Sequence, residues 1–435
     1  MEQKKAGYDS VKMYGTRPDY AMSKETYHRF IATAKRLNMR VVGHTPRGLP
    51  FQSVLDEGQS SVDHAEEIYY VYTPILEKLG PVADFQFGKL SLEEYRKSNP
   101  KFPDLEKEIL PLVKQLAKDT KRSDIVLSPG LITYKKIWRQ ITPQYSGMLK
   151  DPKMQYMYPL WRLWVSPGFN SYRGRWSDRL EEMAPVIKNT FEIQKLIVNE
   201  FNIAGIPIMA GTDATNPFVI EGFSLHEELK ALVAAGLTPY EALKSATITP
   251  ARFLNLEMEI GTVAVGKKAD LVLIDGNPLE SIGNTNRISG VSIAGTWHSK
   301  ADLEKSLENL VDSYKPFWNA IEGSRDYFSS GDVKSALEIY AQLDNKTEEI
   351  AGYFRTTVNR RGYQLIRQKK LEAARKVFEL NAKHFPMSAN VWDSLAEIYM
   401  LLGNKTLAIK YYEKSLKLNP NNSNAVEQLK LLRSK

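Results

Sequence analysis

Four polar residues of this 435-residue chain end short apolar runs, and their types are suited to holding a hydrolytic metal. Lys12 lies in DSVKMYG, His44 in RVVGHT, His64 in SVDHAEE and Asp213 in IPIMAGTDAT. Parallel sheets and barrels build their sites from side chains at the C-terminal ends of successive strands, while the rest of each strand is buried. Lysine, histidine and aspartate side chains in such positions can ligate a divalent metal that drives hydrolysis. We therefore predict that the four residues converge on one metal site.

Each of the four residues also has an ordinary structural explanation. A single histidine at a strand end is often a hydrogen-bonded structural residue, so neither His44 nor His64 alone indicates a ligand. An isolated Lys12 would be solvated, although a lysine that ends a buried strand needs a partner or a modification. Asp213 in GTDAT is also typical of a helix cap or a turn. The prediction of a metal site depends on the ordered set rather than on any single member.

The segment over residues 9–64 alternates strands and helices. The runs DSVKMYG and MRVVGH are predicted strands, and the helix between them begins at about Ser23. A short helix from Phe51 should stop at Gly58, because glycine tolerates the left-handed backbone that ends many helices. SSVDH is then a third strand. The two histidines therefore end neighbouring strands.

Residues 69–180 are longer than a connection in a barrel needs, and insertions of this length are commonly active-site lids. The clear strand candidate within them is DIVLSPGLITY at 124–134, which we predict to be the seventh barrel strand. Many Trp and Tyr residues follow it. Arg173 or Arg175 could clamp a substrate carboxylate, since arginine binds carboxylates through paired hydrogen bonds. Alternatively, this aromatic region is the core of the lid.

Further helices and one last strand follow the insertion. A helix over about residues 183–201 precedes IPIMAGTD, which is the predicted last strand. His226 lies on the next helix, where it either supports the site from behind the ligands or only packs. In TPYEALKSAT, Thr238 and Glu241 have the spacing of a capping box at the start of a helix.

Together with GKKADLVLIDGNPLESI at 266–282, these ordered residues resemble the amidohydrolase superfamily, in its imidazolonepropionase-like and prolidase-like branch. The resemblance covers residues 7–297. It implies an α/β fold in which residues 1–256 form the later strands of a metal-dependent (β/α)8 TIM barrel. Residues 257–300 would supply strands of a small accessory β-sandwich. The implied activity is hydrolysis of a C–N bond in a small amide, such as a dipeptide, an acylated amino acid or a cyclic amide.

The resemblance also implies a role for each ligand. Lys12 would be a carboxylated lysine that bridges two metal ions, and His44 and His64 would hold the more exposed ion. Asp213 would ligate the buried ion and carry a proton from the attacking water to the leaving amine. The expected cofactor is one or two divalent ions, with zinc as the expected metal. An arrangement with one ion on Lys12, His44 and His64 is an alternative.

One part of the family pattern is missing from this sequence. Members of the family carry a His-x-His pair on the first barrel strand, and none of the six histidines here has that spacing. The resemblance begins at what would be the fourth strand. We therefore expect the sequence to be amino-terminally truncated, without the first three strands of the barrel. A competing hypothesis is an inert short form whose repeats act as a protein-interaction scaffold.

Residues 301–435 have the pattern of helical repeats. Pro386 and Pro420 are 34 residues apart, which is the period of a tetratricopeptide repeat. We predict two good repeats and one degenerate repeat, around GDVKSALEIYAQL. Their expected role is to bind a protein partner or to support self-association. The alternative is a helical cap that only packs on the hydrolase.

The composition narrows the remaining possibilities. Lys and Arg give a formal charge of +8, but they are interleaved with Glu and Asp, so we predict no nucleic-acid partner. No run approaches the roughly 20 apolar residues that span a bilayer. The absence of cysteine restricts metal ligands to histidine, carboxylates or modified lysine. It does not distinguish a cytoplasmic from a periplasmic location.

Overall fold

The computed structural model describes residues 2–14, 22–166, 169–344 and 346–434. The chain forms two compact units. The first comprises Met1–Met157 and Trp161–Glu308, and the second comprises Tyr158–Leu160 and Asn309–Lys435. All four predicted metal ligands therefore belong to the first unit, and the predicted repeats belong to the second.

Short parallel strands form the centre of the first unit. They are β1 (Ser10–Met13), β2 (Arg40–Gly43), β3 (Ser61–Asp63) and β4 (Val126–Ser128). β1 pairs with β2 in parallel, as does β3 with β4. The amide of Ser60 donates to the carbonyl of Val41 at 2.8 Å, which links the two pairs. Leu127 forms a parallel bridge with Ile208. Because the strands run in the same direction, their C-terminal ends meet at one edge.

Helices connect and cover these strands. Those up to residue 253 are α1 (Glu2–Lys5), α2 (Lys24–Arg36), α3 (Phe51–Glu57), α4 (Ala65–Tyr69), α5 (Thr73–Leu79), α6 (Pro81–Gln86), α7 (Leu92–Ser98), α8 (Leu110–Thr120), α9 (Leu131–Gln140), α10 (Tyr145–Met148), α11 (Pro159–Val165), α12 (Ser171–Arg175), α13 (Leu180–Ala204), α14 (Phe223–Ala234), α15 (Pro239–Ser245) and α16 (Ile248–Phe253). Short π or 3-10 turns occur at Leu105–Ile109, Pro152–Tyr156 and Ile282–Asn286.

Local sequence signals fixed several helix ends as predicted. The side chain of Ser23 accepts a hydrogen bond from the amide of Thr26 at the start of α2. Gly58, with a φ of 71°, ends α3 in the left-handed conformation. Thr238 and Glu241 form the predicted capping box at the start of α15. These ends depend on hydrogen bonds between neighbours in sequence, so they are readable without the tertiary structure.

Two predicted strands are shorter in the structure. The strand predicted over 124–134 is confined to Val126–Ser128, and Leu131 already begins helix α9. The apolar residues after Gly130 are helical because its left-handed backbone, with a φ of 59°, turns the chain into a helix. The predicted last strand, IPIMAGTD, is reduced to the single bridge at Ile208. The amide of Met209 donates to the carbonyl of Leu127 at 2.8 Å, so the backbone still follows β4.

The long insertion contributes to the main hydrophobic core of the first unit. Tyr69, Ile75, Ile109 and Tyr134 are buried in the same hydrophobic core as Val198 of the long helix α13. Removing this segment would expose the main core of the unit. The loss of stability would be large, because burial of each aromatic or aliphatic side chain contributes roughly 1.5–3 kcal/mol to the free energy of unfolding. The later aromatic part has a core of its own, which consists of Tyr145, Met148, Met154, Met157, Val165, Phe218 and Ile220.

The end of the first unit contains a three-stranded antiparallel sheet. Its strands are β5 (Leu271–Ile274), β6 (Ile288–Ile293) and β7 (Thr296–Ser299), in the order β5-β6-β7. Val272, Leu273 and Trp297 are each more than half exposed. Within the described residues, these strands form one sheet, and the expected sandwich stays a prediction.

The second unit is helical. Its helices are α17 (Lys300–Ser330), which begins within the first unit, α18 (Val333–Gln342), α19 (Glu348–Arg367), α20 (Leu371–His384), α21 (Ala389–Leu401), α22 (Lys405–Leu418) and α23 (Ser423–Ser434). Successive helices pair as in tetratricopeptide repeats. At Gly362 a Cβ atom would lie 2.4 Å from the ring of Phe378, so this position requires glycine. No helix of the described residues is long and apolar enough to cross a membrane.

Candidate metal centre

His44 and His64 lie side by side at the C-terminal edge of the parallel strands. His44 directly follows β2, and its amide donates to the carbonyl of Met13 at 2.9 Å. His64 directly follows β3, and its amide donates to the carbonyl of Ser128 at 2.7 Å. The two imidazole rings are 5.0 Å apart between centroids and nearly perpendicular. The structure therefore brings the two histidines together, as the order of the strands required.

A buried carboxylate holds the ring of His44. Nδ1 of His44 is 3.3 Å from Oε1 of Glu67, whose side chain is only 3% exposed. Glu67 also accepts hydrogen bonds from the amide and hydroxyl of Thr45 and from the guanidinium of Arg47. Burial acts to raise the pKa of Glu67, but the hydrogen bond to His44 and the charge of Arg47 keep it below its usual value. Glu67 is thus a carboxylate that orients His44 and leaves its Nε2 for a ligand.

His64 faces Asp213. Nε2 of His64 is 3.8 Å from Oδ2 of Asp213, which is too long for a direct hydrogen bond. Both residues have a positive φ, 71° for His64 and 51° for Asp213, a conformation that is uncommon outside glycine. Burial lowers the pKa of His64, and Asp213 opposes this effect. The imidazole is therefore held largely neutral, which is the form that ligates metals.

Asp213 is itself oriented by its neighbours. The side-chain amide of Asn216 donates both to the carbonyl of Asp213 and to its carboxylate. The preceding carbonyl, of Thr212, accepts a hydrogen bond from the hydroxyl of Thr133 at 2.8 Å. Asp213 therefore lies in a turn beside His64, and its role as a metal ligand stays a prediction.

Lys12 lies on β1 but is paired with a neighbouring carboxylate. Its Nζ atom is 3.2 Å from Oδ2 of Asp63, and its side chain is 47% exposed. Asp63 precedes His64 in the sequence, so Lys12 is near the histidines. Within the described residues it forms an ion pair rather than pointing freely into the site. A carboxylated Lys12 would carry a negative charge beside Asp63, which would be unfavourable unless a cation lay between them.

The residues present suit a divalent metal in their chemistry. Two imidazoles and one carboxylate are a common donor set for a hydrolytic ion. The 3.8 Å separation of His64 from Asp213 leaves a gap that a shared ion would close. As the side chains stand, no group of three or more His, Asp or Glu residues within the described segments converges closely enough to hold an ion. Binding of an ion by these residues would therefore require their side chains to move.

The two candidate arginines have different surroundings. Nη1 of Arg173 donates to the carbonyl of Gln140 at 2.8 Å, and its guanidinium lies 4.5 Å from the ring centre of Tyr145. Arg173 is therefore engaged in packing the insertion. Arg175 lies 5.9 Å from the ring centre of Tyr172. Burial raises the pKa of Tyr172 to about 12, and the charges of Glu66 and Asp213 add to this effect. Arg175 is exposed, whereas Tyr172 packs against the main core of the unit.

His226 occupies a different environment on α14. Its Nδ1 atom is buried and has no hydrogen-bond partner within the described residues. Burial lowers its pKa, and the positive charges of Lys230 and Lys153 contribute to the decrease. No contact joins it to His44, His64 or Asp213 within the described segments, which is consistent with the packing alternative.

Sequence reasoning missed the residues that support the ligands. Glu67, Asp63 and Asn216 each contact a predicted ligand, yet none ends an apolar run. The motif VDHAEE was the available signal for two of them, because carboxylates flank His64 on both sides. Gln59 is a further support, and its side-chain amide donates to the carbonyl of His44 at 3.1 Å. Nothing in the local pattern pointed to Gln59.

Comparison with known proteins identifies two segments. The amidohydrolase family profile matches residues 182–298, which include Asp213 and His226, and the tetratricopeptide repeat profile matches residues 389–422. Among curated relatives, the 5'-deoxyadenosine deaminase of Methanobrevibacter smithii is 39% identical over 100 residues, which are 22% of this chain and 23% of that protein. The imidazolonepropionase of a Geobacillus species is 58% identical over 40 residues, 9% of each chain.

Solved structures with a similar arrangement include bottromycin amidohydrolase and a putative prolidase from Bifidobacterium longum. The first is 19% identical with a TM-score of 0.47, covering 72% of this chain and 60% of the other. The second is 22% identical with a TM-score of 0.41, covering 72% and 61%. The matched part of the chain spans about a quarter of the length of the first curated relative. Residues 182–298 thus resemble part of the amidohydrolase family, and residues 389–422 resemble a tetratricopeptide repeat.

Proposed function

We propose that this chain contributes the metal centre of a hydrolase that cleaves a C–N bond in a small molecule. His44, His64 and Asp213 would hold a divalent ion, with zinc as the metal to test first. The observation that carries the proposal is the placement of His64 Nε2 at 3.8 Å from Asp213 Oδ2, beside the ring of His44. We further propose that the parallel strands belong to a (β/α)8 TIM barrel and that β5, β6 and β7 belong to an accessory β-sandwich.

A bound divalent ion would supply Lewis acidity, which lowers the pKa of a water molecule and polarises the carbonyl of the substrate. Asp213 would accept a proton from the attacking water and deliver it to the leaving nitrogen, which must be protonated to depart as an amine. Asn216 keeps the carboxylate of Asp213 turned toward this position by its hydrogen bond. The burial of His64 favours its neutral form, and Glu67 fixes the ring of His44.

This arrangement assigns Lys12 a smaller role than the family resemblance does. Its ion pair with Asp63 would have to break before the amine could be carboxylated and bridge two ions. A site with one ion on His44, His64 and Asp213 leaves that pair intact. The number of ions is therefore part of the proposal, and one ion for this chain is what the contacts support best.

The substrate class is proposed at a coarse level. In dipeptides, acylated amino acids and cyclic amides, the C–N bond to be cleaved joins nitrogen to an sp² carbon. The substrates named for the deaminases among the curated relatives have a C–N bond of the same kind. Arg175, which is exposed on the insertion, would bind a carboxylate of the substrate through paired hydrogen bonds. The repeats would bind a protein partner or a second copy, while an inert scaffold is the less favoured alternative.

The test measures the release of amine or ammonia by the chain after reconstitution with zinc. The panel contains four substrate classes: dipeptides, acylated amino acids, cyclic amides and the substrates named for the deaminases. Asp213→Asn should lower kcat/KM by roughly 100-fold or more, since it removes the proton carrier and a ligand. Asp178→Asn is the matched control, because Asp178 is exposed and pairs only with the adjacent Arg179. Hydrolysis that survives in Asp213→Asn, or a wild-type chain that turns over none of the four classes, would contradict the proposal.

A further inference from the structure

The second unit contains a row of polar side chains along its successive first helices α19, α21 and α23. The side-chain amide of Asn359 donates to Oδ1 of Asn390 at 3.3 Å, from α19 to α21. The side-chain amide of Asn424 donates to Oδ2 of Asp393 at 3.0 Å, from α23 to α21. These contacts repeat at sequence separations of 31 residues, so they mark one continuous face. We call this face the polar row.

Two carboxylates on α21 are the charged members of the polar row. Oε2 of Glu397 accepts a hydrogen bond from the hydroxyl of Tyr363 at 2.7 Å. Oδ1 of Asp393 accepts one from the side-chain amide of Asn422 at 2.9 Å. All of these donors are neutral, and Asp393 and Glu397 form no ion pair with any described Lys, Arg or His. Carboxylates four residues apart on one helix repel each other, so this arrangement costs stability.

The carboxylates in the second helices of the repeats are compensated instead. Glu413 on α22 pairs with Arg433, and Glu372 on α20 pairs with Arg375. Basic residues are therefore available in the unit, but they do not neutralise the polar row. Two like charges on one helix face without a basic partner are typical of a functional surface.

A buried, unsatisfied hydroxyl lies on the neighbouring helix α22. Tyr412 is fully buried, and its hydroxyl has no hydrogen-bond partner within the described residues. Burial raises the pKa of Tyr412, and the charges of Asp393 and Glu397 raise it further. Oδ1 of Asn359 in the same row is also buried and without a partner. The row therefore offers several oxygen acceptors and lacks a cationic donor.

We propose that the polar row binds a lysine- or arginine-bearing segment of a protein partner. One ammonium or guanidinium group would lie between Asp393 and Glu397 and donate hydrogen bonds to both carboxylates. The inference rests on the proposed role of the repeats as an interaction surface, and it is independent of the hydrolase activity.

The experiment uses the full chain and a fluorescein-labelled peptide with lysines at alternate positions in a glycine–serine background. Fluorescence anisotropy should show binding that weakens at high salt, and the glutamine counterpart should not bind. Asp393→Asn with Glu397→Gln should weaken binding at least about tenfold. Glu372→Gln with Glu413→Gln is the matched control, because it removes the same charge from the second helices and should leave binding unchanged.

Three results would overturn the proposal. The control double variant could lose as much binding as Asp393→Asn with Glu397→Gln, the latter could bind as the wild type does, or the glutamine peptide could bind as well as the lysine peptide. Binding of a matched glutamate peptide instead would overturn the charge preference but keep the interaction role. Binding of none of the three peptides would count against both.

Discussion

Glu228 should make the first unit less stable as the pH rises. This residue of α14 is fully buried, and its two oxygens accept hydrogen bonds from the amides of Leu131 and Ile132 at 3.0 and 2.7 Å. Burial raises its pKa to about 7, although the two backbone hydrogen bonds oppose the increase. The ordinary value for this carboxyl is 4.5. The folded state therefore keeps a proton that the unfolded chain releases.

The sign and size of the effect follow from this difference. Between about pH 4.5 and pH 7 the folded state binds more protons than the unfolded state, so the free energy of unfolding falls as the pH rises. A shift of about 2.5 pKa units corresponds to about 3 kcal/mol, reached once the pH exceeds 7. Glu228→Gln removes the ionisation and keeps the size and one acceptor. Between about pH 5 and pH 8 the variant should lose about 2.5 kcal/mol less stability than the wild type, because part of the loss already occurs below pH 5.

The assay is urea unfolding at a series of pH values, with hydrogen exchange of the α9 amides as the readout. These amides report the unit that contains Glu228, so unfolding of the repeats does not interfere. Glu181→Gln is the control, because Glu181 is exposed in the first turn of α13. Stability profiles of the wild type and Glu228→Gln that stay parallel over this range would refute the reasoning.

Three further outcomes are expected. Gly43→Ala should destabilise the first unit by about 3 kcal/mol or more in thermal unfolding. At a φ of 108° the added Cβ would lie 2.4 Å from the carbonyl oxygen of Met13. Gly147→Ala is the control and should cost far less, because the space around Gly147 is open. Gly362→Ala should destabilise the repeats by about 1–3 kcal/mol through contact with Phe378, and unchanged unfolding would contradict the packing. Glu67→Gln should weaken zinc binding about 10–100-fold in a competition titration, because His44 loses its carboxylate; wild-type affinity would exclude that role.

Much of the fold was readable from the sequence where short-range physics decides it. The capping box at Thr238, the helix end at Gly58 and the order of the first three strands depend on neighbours in the chain. Residues 124–134 show the limit of this reasoning. Their apolar run is equally compatible with a strand and a helix, and the left-handed backbone at Gly130 decided between them. The central place of the insertion in the main core could not be foreseen, because it depends on contacts between distant residues.

The candidate site was predictable in part for the same reason. Strand order alone placed His44 beside His64, since side chains that follow adjacent parallel strands meet at one edge. The pairing of Lys12 with Asp63 was not foreseen, because alternation along β3 did not reveal which way Asp63 points. The contact of Glu67 with His44 depends on the start of α4, whose position is set by tertiary packing. The supporting residues therefore need the structure, whereas the proximity of residues at adjacent strand ends does not.

Zinc affinity tests the central claim most directly. The purified chain should bind one zinc ion, measured by competition with a chromophoric chelator and by elemental analysis after dialysis. His64→Asn and Asp213→Asn should each weaken the binding at least about tenfold, while His384→Gln, in the repeat unit, should leave it unchanged. A wild-type chain that binds no divalent metal, or binding that is equal in all three variants, would contradict the account.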